Sequence, residues 1–119
     1  MADSQVVLRY RDGRTERATL AAVDPERQMI AVDRDGERGE VPFTEMKAVF
    51  FPRTAPEELL EPATGSTIAV EFADGEVIRG VAHYNPERNG FFLFPYDRSR
   101  NERIFVVSSA IVSIEVEKL

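Results

Sequence analysis

Few residues in this chain could do chemistry, and their spacing limits what that chemistry could be. His83 is the single histidine and there is no cysteine, so a transition-metal centre would rest on one imidazole and carboxylates. His83 stands beside Tyr84 in an apolar-rich run, where a lone histidine reads as a partly exposed structural residue. Ser99, Ser108, Ser109 and Ser113 have no nucleophile-elbow context, and no G-x-x-x-x-G-K-[ST] or G-x-G-x-x-G loop occurs to cradle a phosphate. The carboxylates follow turns and solvent faces, which solvation explains. No catalytic residue, metal ligand or cofactor is expected, and the chain reads as a non-enzyme.

Binding chemistry is better represented. Arg34 and Arg38 in "RDGER" have the four-residue spacing of the R-x-x-x-R found in PilZ-type cyclic-dinucleotide receptors, and paired guanidinium groups clamp phosphates and stack on guanine. The companion D/N-x-S-x-x-G motif is absent, and one such spacing among 13 Arg is unsurprising. "DRSRNER", Asp97 to Arg103, follows Tyr96 directly and carries Arg98, Arg100 and Arg103. Aromatic residues beside Arg can stack bases, yet the same pair is enriched at protein interfaces. Net charge decides between these readings. The chain carries −6, of which −5 lies beyond Arg53, and an acidic surface repels a phosphate backbone. Protein therefore outranks nucleic acid as the partner.

The elements that must position these residues come in two copies. "VVLRYRDGRTERATL" from Val6 aligns with "IAVEFADGEVIRGVA" from Ile68 at an offset of 62. "DPER" at Asp24 then matches "NPER" at Asn85, "MIAV" at Met29 is laid on "FFLF" at Phe91, and "VPFTEMKAVFF" on "FVVSSAIVSIEV". Alternating apolar residues around Asp12-Gly13 and Asp74-Gly75 predict hairpins with type I′ turns, and the Pro-bearing turns predict a third strand in each copy. The connector "PRTAPEELLEPATGS" holds three prolines. Thr54 and Glu57 fit a capping box for one or two helical turns through Leu60, the alternative being an irregular linker.

The order of Asp-Gly hairpin, small residue at the bend (Ala18, Gly80), Asp- or Asn-led turn, apolar third strand and closing pair resembles the Sm-like small barrel. The tandem form also resembles an uncharacterised bacterial domain family with a DG hairpin and a "GFFLFP" strand. These resemblances imply an all-β chain of two duplicated small Sm/SH3-like barrels or strongly bent antiparallel sheets, 1–53 and 67–119, joined by a linker over 54–66. One larger pseudo-symmetric sheet with exchanged strands is the alternative. Sm-like proteins hold RNA at turns corresponding to "DPERQM" and "NPERNG", which supply Arg27, Asn85, Arg88 and Asn89. The fourth-to-fifth strand turn has no Arg-Gly or Lys-His pair.

The expected function is a non-catalytic protein–protein interaction module, an adaptor or regulatory subunit of a bacterial cytoplasmic signalling assembly. An RNA-binding Sm-like protein is the alternative, and a PilZ-like cyclic-dinucleotide receptor the third reading. Phe91 and Leu93 on one face of the aromatic strand, with Tyr84, Tyr96, Arg98 and Arg100, form the expected interface; Arg34, Arg38, Asn85 and Arg88 form the alternative ligand set. Something must cover the second apolar face of that strand, and the first copy of the same chain is the expected cover, ahead of a second chain or another protein. No cysteine, no apolar run of about 18 residues and no basic-then-apolar leader point to a cytoplasmic protein without a membrane span.

Overall fold

Local turn chemistry cuts the chain into short strands. A computed structural model describes residues 4–117. The strands are β1 (Ser4–Tyr10), β2 (Thr15–Asp24), β3 (Met29–Arg34), β4 (Glu37–Pro42), β5 (Met46–Pro52), β6 (Ser66–Phe72), β7 (Val77–Ala82), β8 (Gly90–Pro95), β9 (Asn101–Val107) and β10 (Ile111–Glu117). Single 3-10 turns at Phe43–Glu45 and Ser108–Ala110 join the last two strands of each copy, and no α-helix occurs among the described residues.

The Asp-Gly turns divide by geometry. Asp35 and Gly36 both take positive φ, 52° and 88°, as a two-residue type I′ turn requires. At Asp12-Gly13 and Asp74-Gly75 only the glycine does, with φ 94° and 89°, so the expected type I′ turn is not formed there. Instead the Gly13 N–H donates to Tyr10 O at 3.1 Å and the Tyr10 N–H to Arg14 O at 2.9 Å, a type I turn closed by a left-handed glycine. Asp12 and Asp74 each accept a backbone N–H two residues on, at 2.9 and 3.0 Å. Neither aspartate takes a positive φ. The connector also departs from expectation. It forms one 3-10 turn, Glu57–Leu59, in place of one or two helical turns, and the Thr54 hydroxyl donates to Glu102 at 3.4 Å.

The strands form one antiparallel sheet of ten, in the order β10-β6-β7-β8-β9-β5-β1-β2-β3-β4. This corrects the expectation of two separate barrels. The copies share a sheet because β5, last strand of copy one, pairs with β9 through Ala48–Val106, Val49–Phe105 and Phe50–Ile104. Apolar side chains face apolar side chains at every one of those rungs. A single core cluster consequently runs through both copies, from Leu8, Ile30 and Val32 to Val70, Leu93 and Val106. Burying one such side chain contributes about 1.5–3 kcal/mol, so the seam is a major part of the fold.

Register in the sheet refines the duplication. The offset of 62 holds for β1–β2 against β6–β7, since Val6 faces Ala18 as Ile68 faces Gly80. It is 61 for β3 against β8 and 65 for β4–β5 against β9–β10, so Ile30, not Met29, is the counterpart of Phe91. Paired backbone contacts confirm this: Phe43 N–H donates to Gln28 O at 2.8 Å, and Ser108 N–H to Asn89 O at 2.9 Å. The bend position shows why one copy needs glycine. A Cβ on Gly80 would lie 2.2 Å from Phe94 O, because β8 approaches β7 there closely.

Candidate functional site

Aromatic crowding in β8 now has a physical account. Phe91 and Leu93 occupy the core positions of Ile30 and Val32 and are buried, at 5% and 0% exposure. Both belong to the core cluster, so the apolar face they share is covered from within the chain. The neighbouring face carries the surplus: Phe92 packs edge-on against Phe105 at 5.2 Å and tilted against Phe51 of copy one at 5.8 Å. The Arg103 guanidinium caps both Phe51 and Phe92, 4.4 and 4.8 Å from the ring centres. Copy one thus supplies part of the cover, while Phe92 stays 37% exposed.

Beside this layer lies an open cleft of about 700 Å³. Tyr84, Phe91, Phe92, Phe94 and Phe105 contribute its aromatic lining, and Glu61, His83, Asn85 and Arg88 lead its polar lining. Tyr84 stands edge-on to Phe91 at 5.3 Å. The β7–β8 loop is fixed by its own chemistry. Pro86 follows Asn85, whose side-chain oxygen accepts the Glu87 N–H at 2.9 Å, and Arg88 N–H closes the turn on Asn85 O at 3.1 Å. Asn89 then donates to Pro25 O at 2.8 Å, tying this turn to its counterpart in copy one. His83 Nε2 pairs with the Thr64 hydroxyl at 3.0 Å. Arg88 is exposed and makes no salt bridge among the described residues. Chemically, the cleft offers flat apolar surface with a free guanidinium and an amide at its lip. No group of three or more His, Asp or Glu that could hold a metal occurs among the described residues.

The remaining expected residues fall elsewhere. Tyr96 is 60% exposed at the end of β8. Arg98 is committed to structure: it lies 5.0 Å from the Phe94 ring centre and donates to Glu102 O at 2.9 Å and Glu61 O at 2.7 Å. Arg100 has an exposed side chain, and its carbonyl accepts the Arg53 N–H at 2.8 Å. The structure does not bring Arg34 and Arg38 together. In the β3–β4 hairpin Arg34 faces Glu37 and Arg38 faces Asp33, which places the two Arg on opposite faces of the ribbon. Arg34 is also held in a fork by Glu16, at 2.5 and 3.1 Å, so a two-Arg phosphate clamp is not formed.

Sequence reasoning missed Lys47, the one charged residue buried among those described, at 6% exposure. Its ammonium donates to Asp74 at 2.7 Å and to Glu76, and lies 4.8 Å from the Phe72 ring centre. Glu76 also accepts from Arg9 at 3.3 Å. The copy-two Asp-Gly hairpin is thereby latched onto β1 and β5 of copy one, and the Lys47 bond holds the Asp74 carboxyl below the usual range. The signal available in sequence was a lone lysine inside the apolar run "MKAVFF".

Fold and cleft together define an internally duplicated, all-β protein built on one open antiparallel sheet. The chain belongs to a family of unknown function (DUF6982), whose model matches residues 2–118. No curated protein and no solved structure matches it.

Proposed function

We propose that this protein is a non-catalytic protein-recognition module, an adaptor or regulatory subunit, which uses the β7–β8 cleft to hold an extended partner segment. The carrying observation is a cleft lined by the Tyr84–Phe91 pair and by Phe92, with Arg88, which makes no salt bridge among the described residues, at its lip. Aromatic rings anchor an apolar side chain, and a free guanidinium beside them selects a nearby carboxylate. The partner chemistry is thus an apolar anchor flanked by an acidic residue. The repeated strand order, β5-β1-β2-β3-β4 and β10-β6-β7-β8-β9, supports reading each copy as an opened relative of the Sm/SH3-like barrel.

Selection from a displayed peptide library against the folded chain tests this reading. The expected result is enrichment of an aromatic or aliphatic residue beside Asp or Glu, with at least about tenfold weaker binding (1.4 kcal/mol) in Tyr84→Ser and Arg88→Glu variants. Absence of an enriched motif, or tighter binding of single-stranded RNA with a steep salt dependence, would overturn it.

A further inference from the structure

The two edges of the ten-stranded sheet differ in kind. At one edge β4 carries Glu37, Arg38 and Glu40 and ends in Pro42, the charges and proline that keep an edge from pairing. At the other, β10 (Ile111-Val112-Ser113-Ile114-Glu115-Val116-Glu117) also carries Glu115, Glu117 and a bulge at Val112, but it has no proline and presents Val112 at 61% and Val116 at 46% exposure. Its counterpart in copy one, β5, does accept a neighbour on that side, namely β9. The open side of β10 is therefore equivalent to a side that is paired within the chain.

From this we infer that β10 pairs antiparallel with β10 of a second copy across a two-fold axis at Ile114, forming a closed dimer with one continuous sheet. The register follows from the side chains. With Ile114 on the axis, Ser113 faces Glu115, whose carboxylate can accept a hydrogen bond from its hydroxyl, and Val112, at the bulge, meets Val116 of the other chain at each end of the paired stretch. Moving the axis to Glu115 would set two carboxylates opposite each other. Head-to-tail growth, with β4 meeting β10 in the register of β9 on β5, would set Glu40 against Ile114 and Gly39 against Glu115. That arrangement loses the apolar rungs of the internal seam. An isologous pairing also closes on itself, so assembly stops at two chains.

Light scattering of the full chain over a range of concentrations reads the assembly state directly. The expected result is a two-chain mass, halved by Val116→Lys with the thermal transition retained. Val112→Lys combined with Val116→Glu restores the two-chain mass, because each introduced lysine then faces an introduced carboxylate. The protein has no cysteine of its own. Ile114→Cys therefore crosslinks into a covalent dimer on mild oxidation, since residues opposed across an antiparallel pair lie about 4.5–5.5 Å apart at Cα, within disulfide reach. Val112→Cys, two residues off the axis and so about four residues from its equivalent in the other chain, does not. A single-chain mass at all concentrations would overturn the inference. So would masses above two chains that respond to substitution of Glu40, or a dimer untouched by Val116→Lys.

Discussion

β4 and β9 are topological twins, each the fourth strand of its copy, yet β9 lies mid-sheet and β4 at an edge. At the offset of 65, "ERGEVP" stands beside "ERIFVV". Three of the six positions differ, and two decide the outcome: Ile104 against Gly39, and Phe105 against Glu40. Phe105 is 2% exposed and touches Phe43 at 5.8 Å as well as Phe92, so it binds three strands and a turn into one layer. Glu40 lies in solvent, within 3.2 Å of Arg27. One duplicated backbone thus yields a seam or a stop according to two side chains.

The comparison breaks most visibly at Phe105. Phe105→Ala is expected to cost about 3–5 kcal/mol in denaturant unfolding, from lost burial and the cavity left behind. Glu40→Ala at the equivalent edge position is expected to stay within about 0.5 kcal/mol. Comparable losses at both sites would mean that the twins do not differ as described. A smaller effect is expected at the bend. Gly80→Ala places a methyl against the Phe94 carbonyl and should cost about 1–3 kcal/mol, whereas Ala18→Gly in copy one should cost about 0.5–1 kcal/mol through backbone freedom.

Turns were legible in the sequence because their causes are local. Asp-Gly, "DPER" and "NPER" specify hairpins with no help from distant residues, and they carried the strands and the duplication. Pairing of β5 with β9 was not legible, since it joins strands about 55 residues apart and depends on side chains meeting across that gap. Its trace was the doubly apolar character of "KAVFF" and "IFVV". In the cleft, Tyr84 from the expected interface set meets Asn85 and Arg88 from the alternative ligand set, a juxtaposition that was not legible in the sequence. Phe92 was missed as its exposed ring because strands have a period of two. Reading Met29 instead of Ile30 as the partner of Phe91 loses the link to the buried positions of copy one, and a one-residue slip exchanges the faces.

Acid titration separates the contact between copies from one within a copy. Asp74 is held below the usual carboxyl range first by the Lys47 bond and then by the Glu76 N–H, and Glu16 chiefly by the Arg34 bond against the opposing effect of burial. A lowered folded pKa contributes stability that is complete above the unfolded value, about 4, and is lost as pH falls through the folded one. Asp74→Asn should therefore reduce stability at neutral pH and flatten its decline below about pH 4, because the unfolded and folded forms no longer differ in proton uptake there. Glu16→Gln should act in the same direction but less, under about 1 kcal/mol. The reason is the partner: the Lys47 side chain is 7% exposed, whereas that of Arg34 is 41% exposed and regains water when its fork is cut. Melting curves at neutral pH and at pH 3 for both variants check the order, and a larger change for Glu16→Gln would show that the latch between the copies is the weaker of the two contacts.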